Sequence, residues 1–137
     1  MPYVAEREVA KMLHSLFKSV IDQDRAPVVL CDLSSVIVYM NPAAIAMYHG
    51  DLTGTDLGKC HNAESNRKIE RVLAWFGESA ENNCIHTVYS QARQTDIYMV
   101  ALRDENGVLI GYYEKHESRV KDDTPFYAYT EQNGSAQ

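Results

Sequence analysis

Residues 39–44 read Tyr39-Met40-Asn41-Pro42-Ala43-Ala44. Asn41 is a favoured helix N-cap, because its side-chain oxygen accepts from orphan amides of the first turn. Pro42 suits the first helical position, where a missing N–H removes no helical hydrogen bond. A helix is therefore expected to start abruptly here. Upstream, two apolar runs at residues 28–33 and 36–40 flank Ser34-Ser35 and predict two short strands joined by a tight turn. Strand, turn, strand and capped helix are the expected entry of a small α+β domain. Much later, Asp104-Glu105-Asn106-Gly107 joins two more strand-like runs. Asn-Gly there is a hairpin signal, since both residues tolerate positive φ.

Outward from these landmarks the chain divides readily. Residues 4–23 read as one amphipathic helix, with Val9, Met12, Leu13, Leu16, Phe17, Val20 and Ile21 at three- and four-residue steps. Pro27 stops it. Val9, Leu13, Leu16 and Val20 also fit the a/d seam of a short coiled coil. Two readings of this helix stand side by side: packing on its own domain, or dimerisation. The capped helix spans residues 41–48, with Gly50 expected to end it in a left-handed conformation. A turn-rich stretch, 51–65, precedes a second helix expected from Ser65 or Asn66 to Phe76. Ile69, Val72, Leu73 and Phe76 mark its buried face, Glu70 and Arg71 its solvent face, and Gly77 its end. Residues 84–91, 95–103 and 108–117 carry β-branched and aromatic content with partial alternation and predict three strands. Gly111 within the last predicts a bulge or a close backbone approach. Beyond Lys121 the pattern dissolves into a tail, with Phe126-Tyr127-Ala128-Tyr129 expected to dock through its rings and residues 132–137 following.

The totals limit the choice of function. A chain of 137 residues suits one domain with short extensions. A net charge of −6 argues against nucleic acid and against anionic membranes as partners. Cys31, Cys60 and Cys84 are an odd, widely spaced set, which suits a reducing cytoplasm better than a disulfide framework. Charges at Glu6, Arg7, Glu8 and Lys11 do not fit a signal peptide. Residues 33–50 hold no Asp, Glu, Lys or Arg. Ser34-Ser35, Asn41-Pro42 and His49 interrupt that stretch, so it reads as core rather than as a membrane span.

In order, these elements resemble the PAS domain family. The segment 36–44 resembles that family's second strand and first internal helix. Leu52, Gly54 and Leu57 resemble its "L-x-G-x-x-L" turn, and residues 103–111 its "R-D-x-x-G-x-x-x-G" hairpin. Cys60-His61-Asn62-Ala63-Glu64-Ser65 resembles a "C-H-x-x-x-S" version of the segment before the long helix, found in a subgroup of bacterial PAS-like domains that often has Pro after Asn. Here that place is Ala63. The resemblance implies an α+β fold: a PAS-like five-stranded antiparallel sheet with helices packed on one face, plus an N-terminal amphipathic helix. It divides the chain into a helix at 1–24, resembling the flanking helices by which many PAS domains dimerise, a PAS-like domain at 25–119 and a tail at 120–137. It also implies a stand-alone sensory or interaction module, responding to a small ligand or to rearrangement within a homodimer and signalling to a separate output protein. Members bind haem, flavins, fatty acids or metabolites between sheet and helices, or bind nothing, so the family fixes no cofactor.

Site candidates follow from position and chemistry. His61, before the long helix, is a candidate ligand-binding group that titrates near neutrality, or a residue holding its loop and Asn62 in place. Tyr39, Ile69, Leu73, Met99, Ala101 and Tyr112 are candidates for pocket lining by alternation and helix face. No His lies in residues 66–76, which counts against haem by analogy with the family. Cys60 lacks the context of a flavin-linked cysteine. Cys60, His61, Cys84 and His86 contain zinc-ligand types without the usual close pair on a turn. Rival readings are a small cavity enzyme of isomerase type, with His61 and Glu114 as acid and base in a closed pocket, and a haem- or metal-binding protein.

Overall fold

The computed structural model describes residues 2–129. Five strands, Val29–Asp32 (β1), Ile37–Met40 (β2), Cys84–Ser90 (β3), Thr95–Arg103 (β4) and Leu109–Ser118 (β5), form one antiparallel sheet in the order β2-β1-β5-β4-β3. Helices Pro2–Asp22 (α1), Pro42–Tyr48 (α2) and Ala63–Glu78 (α3) accompany it, with a 3-10 turn at Leu57–Lys59. Cys31, Ile37, Met40, Met99 and Tyr112 of the sheet meet Ala44 of α2 and Phe76 of α3 in the core. Both helices therefore cover the same face. Leu30 and Tyr39 adjoin Cys31 and Met40 along their strands and so face the other way. There they meet α1: the Tyr39 hydroxyl donates to Asp22, and the Lys18 ammonium lies 5.3 Å from the Tyr39 ring centroid. Among the described residues, no helix is long and apolar enough to cross a membrane.

Asn41 is the N-cap expected from the sequence, and it does more than cap. Fully buried, its Oδ1 accepts from the amides of Ala44 and Val28, both at 2.9 Å. Its Nδ2 donates to the carbonyls of Ile21 at 2.9 Å and Ala26 at 3.0 Å. One side chain thus joins the end of α1, the start of β1 and the first turn of α2.

Local chemistry moves several boundaries from their expected places. His49, not Gly50, takes the left-handed position after α2, with φ 61°, and the Gly50 amide reaches back to Ile45 O at 3.0 Å. Asn62 caps α3 by accepting from the Ser65 amide at 2.8 Å, so the helix starts at Ala63, before the expected Ser65 or Asn66. It also runs through Gly77 to Glu78. The reason is Arg103, whose guanidinium donates to the carbonyls of Phe76 at 2.7 Å, Ser79 at 3.0 Å and Asn82 at 3.1 Å. An arginine fork does the work expected of a left-handed glycine. In the β4–β5 hairpin only Gly107 is left-handed, at φ 82°. The Asp104 carboxylate accepts from the amides of Asn106 at 2.8 Å and Val108 at 3.0 Å, which replaces the expected pair of positive-φ residues. Gly111 is the close approach expected: a Cβ there would stand 2.3 Å from the Cys31 carbonyl oxygen.

Two surfaces differ from a packed core. On α1, Val9, Met12, Leu13, Leu16, Phe17 and Val20 are between 43% and 72% exposed. Of these only Phe17 borders the sheet, at a recess, so the apolar stripe is largely uncovered in the single chain. Phe126 is 95% exposed, so the ring expected to dock the tail does not. Residues 132–137 of the expected tail lie outside the described residues.

Replacing Asn41 with Ala removes the partner of the buried Val28 and Ala44 amides and a donor from the part-buried carbonyls of Ile21 and Ala26. It is expected to lower stability by about 3 kcal/mol in urea unfolding. Gly111→Ala forces a backbone carbonyl to move and is expected to cost about 2 kcal/mol or more by the same measurement.

Candidate functional site

Ile85, Met99 and Glu114 stand opposite one another across β3, β4 and β5. Met99 belongs to the core, so the row faces the helices. Above it runs α3, whose Ser65, Lys68, Ile69 and Val72 recur at helical spacing on one side. Helix and sheet enclose a groove of about 510 Å³, also bordered by His61, Arg71, Thr87 and Val88. A small cavity of about 30 Å³ continues inward, where Cys31, Leu57 and Tyr112 join His61, Ile69, Met99 and Glu114. His86 borders the groove as well, but its Nε2 lies 2.8 Å from an Asp96 oxygen and its ring stacks near Tyr98 at 4.9 Å.

The candidates read from sequence divide between the groove and other places. Ile69, Met99 and His61 border it, and Tyr112 borders the inner cavity. Asn62 is occupied as the cap of α3. Tyr39 faces a separate recess of about 330 Å³ between α1 and the sheet, with Phe17, Ile21 and Leu30. Leu73 faces a recess beside Leu33, Ser34 and Gly58. Ala101 packs against the core, opposite Tyr112 in register. The strand alternation was therefore legible for Met99 and Tyr112. Tyr39 lines the other recess, because it points to the side of β2 where α1 lies, which no local pattern announces.

Lys68, Val72, Ile85, Val88 and Glu114 complete the groove. Spacing of 65, 68, 69 and 72 along α3 carried that signal, and the pairing of Glu114 with Met99 needed the β4–β5 register. Arg71 is exposed as expected, yet it stands on the rim.

Burial and the Glu114 charge set the electrostatics. Burial pushes the Cys31 thiol up to about 11, with a lowering hydrogen bond from Tyr112 and raising charges on Glu114 and Asp32 as smaller contributions. Burial likewise raises Tyr112, whose hydroxyl is 2.8 Å from Ser35 Oγ, and raises Tyr48. It lowers His116, against an opposing pull from Glu114. His61 and Glu114 border the same space, but both are exposed, so the closed pocket required by an acid–base isomerase is not formed. Among the described residues, no three His, Cys, Asp or Glu side chains are arranged to hold a metal ion. Cys60, His61, Cys84 and His86 accordingly do not converge as a metal set.

The fold these elements build is PAS-like. It is similar to the PAS domain of a protein from Colwellia psychrerythraea, with 13% identity, TM-score 0.57, and coverage of 80% of this chain and 99% of that one. It is also similar to the PAS domain of Bordetella pertussis BvgS, with 12% identity, TM-score 0.55, and coverage of 91% and 98%. A PAS domain of an HTR-like protein from Haloarcula marismortui matches with 11% identity, TM-score 0.55, and coverage of 82% and 98%. No family model matches the sequence, and no curated protein matches it. At such identities the likeness is one of fold.

Cysteine chemistry offers a direct check on the inner cavity. Cys60 and Cys84 are exposed, while Cys31 is buried with a raised pKa. At pH 8, iodoacetamide is expected to modify the first two readily and Cys31 about a hundredfold more slowly, counted by intact mass. The sign for stability follows from the same shift. The unfolded thiol ionises near its ordinary value of 9.0 and the folded one only at about 11, so its contribution falls as pH rises between them.

Proposed function

We propose that the protein is a PAS-type sensory module of signal transduction, working without catalysis in the cytoplasm. A small ligand occupies the groove between α3 and the sheet, and a homodimer formed through α1 carries the response to a signalling partner. The groove is the observation that carries this reading: about 510 Å³ between helix and sheet of a PAS-like fold, where apolar Ile69, Val72, Ile85, Val88 and Met99 stand among charged and polar side chains. That is the size and character of a small-molecule site. The exposed, unlinked thiols of Cys60 and Cys84 suit a reducing compartment.

Ligand and dimer are connected through structure already described. A ligand that binds one arrangement of α3 and sheet more tightly shifts the population toward it. Asn41 and Tyr39 attach the last turn of α1 to β1 and β2, so movement of the sheet re-aims α1. The uncovered stripe of α1 is the surface through which a second copy would register that change.

Two measurements test the reading. Native mass spectrometry of the protein as isolated is expected to show a bound small molecule at one per chain, released on unfolding. The double substitution Leu13→Glu and Leu16→Glu is expected to convert dimer to monomer in light scattering. The melting temperature should change little, because both side chains are about half exposed, at 43% and 52%. An unchanged oligomer would reject the seam on α1.

A further inference from the structure

Resting on this sensory reading, the geometry points to the chemical class of the ligand. It is a small monocarboxylic acid with an apolar body, its carboxylate held by Arg71 and Lys68, and a hydrogen-bond donor at its far end meets Glu114.

The charge pattern of the groove carries this assignment. The chain has a net charge of −6, yet the α3 wall presents Lys68 and Arg71, while His61, ahead of the helix, borders the inner cavity together with Glu114. The acids of α3, Glu64, Glu70 and Glu78, do not border the groove. The Arg71 side chain makes no hydrogen bond or ion pair among the described residues. Its planar fork is suited to a carboxylate. Lys68 has only Glu64, at 3.7 Å, with side chains 71% and 70% exposed. An exposed pair of this kind yields readily to a better partner. On the opposite wall Glu114 also has no hydrogen bond or ion pair among the described residues.

Ile69, Val72, Ile85, Val88 and Met99 supply the apolar lining of the same groove. A neutral apolar molecule would cover charged groups and leave them unpaired, which is costly. A second carboxylate at the far end would meet Glu114, and an ammonium at the near end would meet Lys68 and Arg71. An acid with a hydroxyl or amine at its other end satisfies both poles at once.

Phloretate, a para-hydroxyphenyl propanoic acid, has these features. Its amide, phloretamide, lacks the charge, and hydrocinnamate lacks the hydroxyl. Calorimetric titration of the full chain is expected to give phloretate binding about tenfold or more tighter than phloretamide, with hydrocinnamate weaker than phloretate. Arg71→Glu should abolish the preference for acid over amide. Glu114→Ala should abolish the preference for the hydroxylated acid. Melting curves identify any variant that has lost its fold, and raising the salt concentration on the native chain gives an independent readout: affinity for the acid should fall while that for the amide holds. Equal affinities of acid and amide, or a preference indifferent to both Arg71→Glu and salt, would overturn the carboxylate assignment. If both ligands then bind and Val72→Trp displaces them, the groove and the sensory reading still stand. Failure of all three probes to bind overturns the ligand class. The sensory reading falls with it only if the isolated protein also carries no bound molecule.

Discussion

Four short hydrogen bonds to one buried amide hold this architecture together. Asn41 has two donors and two acceptor lone pairs, and backbone groups from three elements use all of them. Without it, the amide of Val28 and the carbonyl of Ala26 would lose their partner where the chain turns from helix into sheet, and the Ile21 carbonyl would keep only the longer bond from the Asp24 amide at 3.4 Å. Such groups are expensive to bury unpaired. The constraint is geometric as well as energetic. It places the end of α1 against the β2–α2 corner, and thereby sets the last turns of the helix beside Leu30 and Tyr39 while residues 5–20 stay exposed.

The same economy appears at the other end of the core. Arg103 reaches from β4 to the end of α3 and the loop beyond it. It also holds Asn83 Oδ1 at 2.7 Å and Gly107 O at 3.1 Å. A single guanidinium thus fixes the helix end, the start of β3 and the β4–β5 hairpin relative to each other. Polar groups, rather than additional apolar ones, position the elements that enclose the groove.

Local pattern made most of the fold legible. The cap at Asn41, the periodicities of α1 and α3, the alternation of the three long strands and the close approach at Gly111 each act over a few residues, and each is visible in the chain. The helix ends were less legible because their partners come from afar. Arg103 terminates α3 from 24 residues beyond Ser79, and Asp104 remakes a hairpin that Asn106 was expected to shape. The groove was legible only in part for the same reason. Ile69 and Met99 announce themselves by their own spacing, whereas Glu114 joins the site through a register with Met99 that only the assembled sheet defines. Arg71 shows another limit: a side chain can be solvent-exposed and still form the rim of a cleft.

The clamp at Arg103 has a consequence for how the cleft breathes. Its grip on Phe76 and Ser79 makes one end of α3 a hinge pin, fixed to the floor beneath it. The opposite end rests on lighter fastenings: the Asn62 cap, and Asn66 bonded to Gly58 O at 2.9 Å. A lever pinned at one end swings most at the other, and His61 stands at that free end. Any tilt of α3 about that pin would open the groove most beside the imidazole.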